Sequence, residues 1–240
     1  MPRVNDFVLA SCQATVFTPD EEVSAAKIVA GLTTRWSSRF DGEPVVLPLP
    51  AAVPREIPRV ILQDKRGTWR CEVSSARVNI FWRRTQDVDP APALGEFFED
   101  AAARLIEYQD FQRARAGRLA AVLNRFTQAD SPGLYLAQHF CHERWLRAPL
   151  NRPESFELHA HKQYGLADFR VNSWVRNKTA ALAYPESKTP RPIVLVEQDL
   201  NTLPEDAPNV SLNPADIRRF FGAVVPEFDH ILGLYYPNEA

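Results

Sequence analysis

The sequence predicts an α+β protein in which antiparallel strands pack on long helices. Segments with alternating apolar residues come in groups of three, and segments with an apolar stripe at helical spacing separate these groups. The order also recurs, because residues 1–115 and residues 116–240 each give a strand, a helix, three strands and a helix. We therefore predict a single domain over residues 1–240, built from two loosely repeated halves that form one continuous sheet or two sheets.

The first half begins with a predicted strand over residues 7–17. Thr18, Pro19 and Glu21 then predict the start of a helix. Threonine can cap a helix, proline suits the first turn, and the glutamate completes a capping box. We expect this first helix to extend to about Ser38.

A proline-dense connection over residues 44–58 leads into a meander and a long helix. The meander strands are predicted over residues 59–63, 68–74 and 77–84, because each offers one apolar face. The helix that begins near Pro92 joins the two halves. Its apolar stripe consists of Leu94, Phe97, Phe98, Ala101, Leu105 and Tyr108, and charged residues cover the opposite face.

The second half repeats this plan. The predicted elements are a strand over residues 118–127, a helix from Ser131-Pro132 to about Arg147, a hairpin over residues 156–163 and 167–183 with Tyr164-Gly165 as its turn, a strand over residues 193–200 and a helix from Asn213-Pro214. Pro226 is expected to kink or end the last helix. Glu197 and Asp199 lie near the end of their predicted strand, where they could place a catalytic acid or simply mark the boundary with solvent.

Composition and charge narrow the class of protein. The formal net charge is -2, whereas a general polyanion binder usually has a basic excess. The three cysteines, Cys12, Cys71 and Cys141, are far apart, so we expect neither a disulfide framework nor a structural zinc site. No signal pattern is evident, and no apolar run approaches the roughly 20 residues that cross a bilayer. The sequence therefore predicts a cytoplasmic protein without a membrane partner.

Four segments resemble a sporadically distributed bacterial family of unknown function and of about this length. They are GTWRCEVSSARVNIFW, FQRARAGRLAAVLNRF, IVLVEQDLN and DIRRFFGAVVPEF. In the second segment, Ala121 and Val122 stand where the family usually has arginine and tyrosine. The resemblance implies a two-half α+β fold and a setting in mobile or defence-type gene neighbourhoods. It implies no activity and no catalytic residue.

The best candidate for a metal site is the alternating series Glu157, His159 and His161. Side chains at every second position of a strand share one face, and two imidazoles with a carboxylate can hold a divalent metal. The predicted turn would place His161 opposite Asp168 and His159 opposite Arg170. An arginine beside the histidines argues against a cation site. The alternative is an ordinary polar face of a half-exposed hairpin.

The second candidate surface is basic and aromatic. Arg170, Trp174, Arg176 and Lys178 alternate along one predicted strand and therefore share a face. Such a face can stack a base on the indole and bind phosphate with the cations. The alternative is a charged sheet face that resists edge-to-edge aggregation.

The sequence contains no phosphate loop, Rossmann fingerprint, GxSxG or HExxH motif. We therefore predict no catalytic residue and no cofactor. The leading hypothesis is a non-enzymatic protein that binds another protein, either one encoded in the same bacterial defence or toxin-control operon or a second copy of this chain. The alternatives are a nucleotide or nucleic-acid binder that uses the Trp174 face, and a metal-dependent hydrolase at Glu157, His159 and His161.

Overall fold

The computed structural model describes residues 3–19, 23–48, 50, 53–86, 90–183 and 189–238. Within these residues nine strands form one antiparallel sheet. The strands are β1 (Val8–Phe17), β2 (Val45–Val46), β3 (Val60–Gln63), β4 (Trp69–Val73), β5 (Arg77–Arg83), β6 (Arg118–Gln128), β7 (Glu157–Leu166), β8 (Phe169–Leu182) and β9 (Arg191–Thr202). The helices are α1 (Ala25–Arg35), α2 (Leu94–Gln112), α3 (Pro132–Phe140), α4 (Glu143–Arg147) and α5 (Pro214–Tyr235).

The strand order is β2-β3-β4-β5-β1-β6-β9-β8-β7. β1 and β6 pair with each other in the middle of the sheet, so the strands of the first half lie on one side and those of the second half on the other. The predicted α+β class is thus confirmed, and the two halves share one continuous sheet. Each half contributes a central strand, a three-strand meander and a long closing helix, but duplication of the halves stays a prediction.

The closing helices α2 and α5 pack against each other through aromatic side chains. The ring of Phe98 stacks at 5.7 Å on Phe221 and at 5.9 Å on Phe228, measured between centroids. The predicted apolar stripe of α2 is buried as expected, because every residue in it except Leu94 is buried. Pro226 does not end α5, which continues to Tyr235.

The predicted start of the first helix is wrong. Thr18 continues the extended chain, because its backbone N–H donates to the carbonyl of Ala76 at 2.8 Å. The helix begins at Ala25, and Ser24 caps it by accepting from the backbone N–H of Lys27 at 3.4 Å. Glu21, the other end of the predicted capping box, lies outside the described residues. The helix also ends earlier than Ser38, at Arg35.

The helix predicted from Ser131 to Arg147 is two helices. Cys141 has an extended backbone, with φ -103° and ψ 145°, and so ends α3. The imidazole of His142 then accepts a hydrogen bond from the backbone N–H of Arg144 at 3.3 Å and caps α4. A histidine at this position thus acts as an N-cap, a role that the helical spacing alone does not reveal.

The predicted hairpin turn is also wrong, and the register changes with it. Ala167 and Asp168 form the turn in left-handed conformations, with φ 46° and 70°. Both strands are therefore longer, and His161 pairs with Trp174 while His159 pairs with Arg176. The predicted partners Asp168 and Arg170 do not face these histidines.

One face of the sheet carries the helices. On β9, Gln198 donates to the carbonyl of Phe228 at 2.8 Å, and on β8, Asn177 accepts from the hydroxyl of Tyr236 at 2.7 Å. Both helix-side partners belong to α5 or its C-cap. Side chains on alternate positions therefore point to the opposite face. None of the helices within the described ranges combines the length and apolar character needed to cross a bilayer.

Candidate binding surface on the outer sheet face

The side chains that point away from the helices form what we call the outer face. The pairing register places them in rows across the sheet, because directly paired residues of antiparallel strands point to the same side. One row crosses six strands and consists of Phe81, Gln13, Val122, Asp199, Trp174 and His161. A parallel row consists of Asn79, Thr15, Ala120, Asn201, Asn172 and Gln163. The outer face is therefore mixed, with aromatic, amide and charged groups.

The predicted basic residues of β8 lie on the outer face, but acidic neighbours neutralise most of them. Arg176 forms an ion pair with Glu197 on β9, and Lys178 reaches the same carboxylate at 3.2 Å. Arg170 lies 3.5 Å from the carboxylate of Asp206. The β8 face is therefore less positive than its own sequence indicates.

Trp174 stands in the middle of these residues and is half-buried. The imidazole of His161 stacks on its indole, with ring centroids 4.1 Å apart and planes inclined by 14°. The guanidinium of Arg176 lies 5.2 Å from the centre of the same ring. One face of the indole is thus already stacked, which leaves less of the ring for a nucleic-acid base.

The predicted metal ligands do not act together in this structure. The imidazole of His159 lies 3.1 Å from the carboxylate of Glu157. His161 instead contacts the side-chain oxygen of Asn172, 3.1 Å from its Nε2. Across the described residues, no group of three or more His, Cys, Asp or Glu side chains is arranged to hold a metal ion. The metal hypothesis therefore gains no support from the geometry.

A hydrogen-bonded network around Asp199 is the feature that the sequence did not reveal. Arg118 of β6 donates to the side-chain oxygen of Asn201 at 2.7 Å, and Asn172 of β8 donates to the same atom at 3.3 Å. Asn201 in turn donates to the carboxylate of Asp199 at 2.8 Å. Three strands thus hold one carboxylate in a fixed position.

The environment of Asp199 shifts the pKa of its carboxyl above the ordinary value. Burial raises the pKa of this carboxyl, and the negative charge of Glu197 acts in the same direction. The hydrogen bond from Asn201 and the positive charges of Arg176 and Arg118 oppose that shift without cancelling it. A half-buried carboxyl with a raised pKa is a recognised mark of a functional site. Burial likewise lowers the pKa of Arg118.

One hint of this position is present in the sequence. Glu197 and Asp199 are acids near the end of the strand predicted over residues 193–200. β9 extends to Thr202, however, so both acids lie within the strand and point to the outer face. Arg118, Asn172 and Asn201 carried no local signal, since only strand pairing brings them together.

On the outer face, side chains of β1 and β5 also form hydrogen bonds with each other. The hydroxyl of Thr15 donates to the side-chain oxygen of Asn79 at 2.9 Å, and Gln13 donates to the Thr15 hydroxyl at 2.9 Å. At the end of β1, the guanidinium of Arg118 lies 4.5 Å from the ring centre of Phe17. This part of the face therefore combines ordered amides with a half-buried aromatic ring.

In the part of the chain that the structure describes, the fold is α+β, with one nine-stranded antiparallel sheet, helices on one side and a mixed outer face on the other. No protein-family model matches the chain, and searches of curated proteins and of solved structures give no match either. The resemblance to a sporadically distributed bacterial family therefore stays a prediction.

Proposed function

We propose that this chain is a non-enzymatic binding component and that its outer face contacts another protein. One observation carries the proposal. The outer face places the half-buried rings of Phe17, Phe81 and Trp174 among ordered amides and arginines. Aromatic residues and arginine are enriched at the centres of protein interfaces, where they supply most of the binding energy.

The size of the outer face sets the expected strength of binding. From β5 to β7 the face spans about 24 Å, since neighbouring strands lie about 4.8 Å apart. Four alternate residues along each strand add about 20 Å in the other direction. The area is thus roughly 500 Å², below the roughly 800 Å² that each partner buries in a standard interface. We therefore expect a transient complex.

Nucleic-acid binding is the second candidate. The favourable observation is that the Trp174 ring and the cations Arg176 and Lys178 share one sheet face. It ranks lower, because Glu197 pairs with both cations and His161 already covers part of the ring. The metal-dependent hydrolase ranks last, since Glu157 and His159 contact each other while His161 contacts Asn172.

The cytosol is the proposed location of this chain. All three cysteines are free thiols, and Cys12 and Cys71 are buried. Free thiols persist in a reducing compartment. We further propose that the partner is encoded in a neighbouring gene of a bacterial defence or toxin-control operon, which is what the family resemblance implies.

Quantitative affinity capture from the native host tests the proposal. Tagged wild-type chain and two tryptophan variants would be compared by mass spectrometry of the captured proteins. Trp174→Ala removes the ring on the outer face, whereas Trp145→Ala removes a ring on α4 that is 46% exposed. We expect the wild type and Trp145→Ala to capture the same partner protein. Trp174→Ala should no longer capture it.

Two results would count against this function. One is that all three forms capture the same proteins in equal amounts, which would exclude the outer face as the binding surface. The other is that a labelled single-stranded oligonucleotide binds the wild type and not Trp174→Ala in a fluorescence anisotropy titration. That result would replace the protein partner with a nucleic acid.

A further inference from the structure

The strand β7 forms one edge of the sheet. It pairs with β8 on one side, and the strand order ends with β7. At ten residues, Glu157–Leu166, it is much longer than β2 at the opposite edge, Val45–Val46. Alternate backbone N–H and C=O groups of an edge strand point outward and can pair with an added strand.

An apolar pocket lies on the helix side of this edge, between β7, β8 and the end of α5. Its volume is about 310 Å³. The apolar side chains in its wall are Ala160, Val175, Ile231, Leu234 and Tyr235. Leu234 is 61% exposed, more than any other large apolar side chain in the described part of the chain. An edge strand beside an apolar pocket is the arrangement that proteins use to bind extended peptides.

The register of an added antiparallel strand decides which of its side chains enter the pocket. The residue opposite Ala160 would point to the helix side and into the pocket, because directly opposed residues share a face. The residue opposite Lys162, two positions along, would point the same way. Lys162 lies at the pocket wall, with its ammonium 4.5 Å from the ring centre of Tyr164. It has no acidic partner among the described residues, so it would favour an acidic group there.

We propose that the groove between β7 and α5 binds an extended segment of another protein by strand addition. The segment carries an apolar side chain that fills the pocket and, two positions away, an acidic side chain that pairs with Lys162. This groove lies on the helix side and at the edge of the sheet, and of the outer-face residues described above His161 also lies in the wall of its pocket. If the groove binds no peptide, the function proposed for the outer face is unaffected.

A second copy of the chain fits the groove less well. If β7 paired with its own copy along the strand, the residue opposite Lys162 would come from the helix-side series of β7. Within β7 that series contains Leu158, Ala160, Lys162, Tyr164 and Leu166, none of which is acidic. Glu157, the acid of β7, points to the outer face instead. Self-pairing would therefore leave Lys162 without the partner that a suitable peptide supplies.

A random twelve-residue peptide library displayed on phage tests this inference with the full chain. We expect the selected peptides to share a pattern with a period of two residues. In this pattern an apolar residue lies two positions from Asp or Glu. Leu234→Asp should abolish the enrichment because it places a charge at the pocket. Val46→Asp is the matched control, because Val46 is also exposed, at 48%, on the opposite edge strand. It should leave the enrichment unchanged.

A charge exchange then tests the contact with Lys162. A synthetic peptide with the selected sequence should bind Lys162→Glu at least about tenfold more weakly than wild type. Replacing the peptide's acid with lysine should restore binding to Lys162→Glu and weaken binding to wild type. Every second N–H group of an added strand pairs with the edge strand. Methylation of that set of peptide N–H groups should therefore abolish binding, whereas methylation of the other set should not.

Three results would overturn the proposal. The first is that the peptides selected by the wild type share no sequence pattern. The second is that Leu234→Asp selects peptides with the same pattern as the wild type does. The third is a wild-type chain that is a stable dimer in light scattering and becomes a monomer in Leu234→Asp, because a second copy would then fill the groove. Loss of partner capture by Trp174→Ala alone would concern only the outer face.

Discussion

Asn201 donates a hydrogen bond to the carboxylate of Asp199, which lies two residues earlier on β9, with 2.8 Å between Nδ2 and Oδ1. The amide that makes this bond is itself fixed, because its oxygen accepts from Arg118 on the neighbouring strand β6 at 2.7 Å. Burial makes the ionisation of this carboxyl cost stability, and the hydrogen bond from Asn201 offsets only part of that cost. The effect of Asp199 ionisation on the stability of the fold can therefore be measured without a binding partner.

Asp199→Asn should stabilise the fold at neutral pH. The pKa of Asp199 is raised by burial above its ordinary value of 3.8, so the folded state binds the proton more tightly than the unfolded state. The ionised group therefore lowers the free energy of unfolding above the folded pKa, and this loss disappears as the pH falls towards 3.8. Asparagine can still accept from Asn201 without a charge. Thermal melts at pH 7 and pH 4 check this.

The expected result is a higher melting temperature for Asp199→Asn at pH 7 and a smaller difference at pH 4. A variant that is less stable than wild type at both pH values would mean that the charge stabilises the network. Glu157→Gln is the matched control, since Glu157 lies exposed on the same sheet face.

Arg125→Ala should destabilise the fold strongly. Its side chain is only 9% exposed, forms an ion pair with Asp229 and donates to the side-chain oxygen of Gln198 at 3.0 Å. Truncation would leave a cavity and a buried amide without its donor, so we expect a loss of about 3 kcal/mol in the free energy of unfolding. Urea denaturation measures it. Arg147→Ala, which removes an exposed pair with Glu143, should cost less than about 1 kcal/mol.

Two helical glycines should respond oppositely to alanine. Gly222 of α5 has open space around an added Cβ, so Gly222→Ala should stabilise by about 1 kcal/mol. An added Cβ at Gly31 of α1 would overlap the ring of Phe111. Displacing that ring should outweigh the gain in helix propensity, and Gly31→Ala should lower the free energy of unfolding. Equal stabilisation in both variants would show that Phe111 moves aside without cost.

The turn between β7 and β8 offers a prediction about backbone strain. Ala167 has φ 46°, a left-handed conformation that alanine rarely adopts. Asparagine tolerates this conformation and is favoured in two-residue hairpin turns. We expect Ala167→Asn to raise the free energy of unfolding by about 1 kcal/mol at most, because the left-handed conformation costs an ordinary L-residue roughly 1–2 kcal/mol. A loss of stability in urea denaturation would contradict the assignment of the turn.

The same turn explains why part of the site escaped prediction. Tyr164-Gly165 is the conventional turn signal in this segment, whereas Ala167 and Asp168 make the actual turn. The displaced turn moved His161 from a predicted place opposite Asp168 to its observed place beside Trp174. Alternation along one strand determines which residues share a face. Which residues pair across the hairpin depends on the position of the turn, so an incorrectly predicted turn shifts every pair.

Other features were predictable for a clear physical reason. The stripe of α2 follows from helical spacing, which depends only on nearby residues, and Phe97, Phe98 and Leu105 are buried as predicted. The shared face of Trp174, Arg176 and Lys178 follows from strand alternation in the same way. The contact of Arg118 with Asn201 joins residues 83 positions apart, and no local pattern could indicate it.

The most direct test of the central claim is the affinity of the purified chain for the protein that it captures. Isothermal titration would compare wild type with Trp174→Ala and Trp145→Ala. If the outer face binds the partner, Trp174→Ala should weaken binding by at least about tenfold, or 1.4 kcal/mol, while Trp145→Ala binds as wild type does. Equal affinities for Trp174→Ala and wild type, with both folded, would contradict the account.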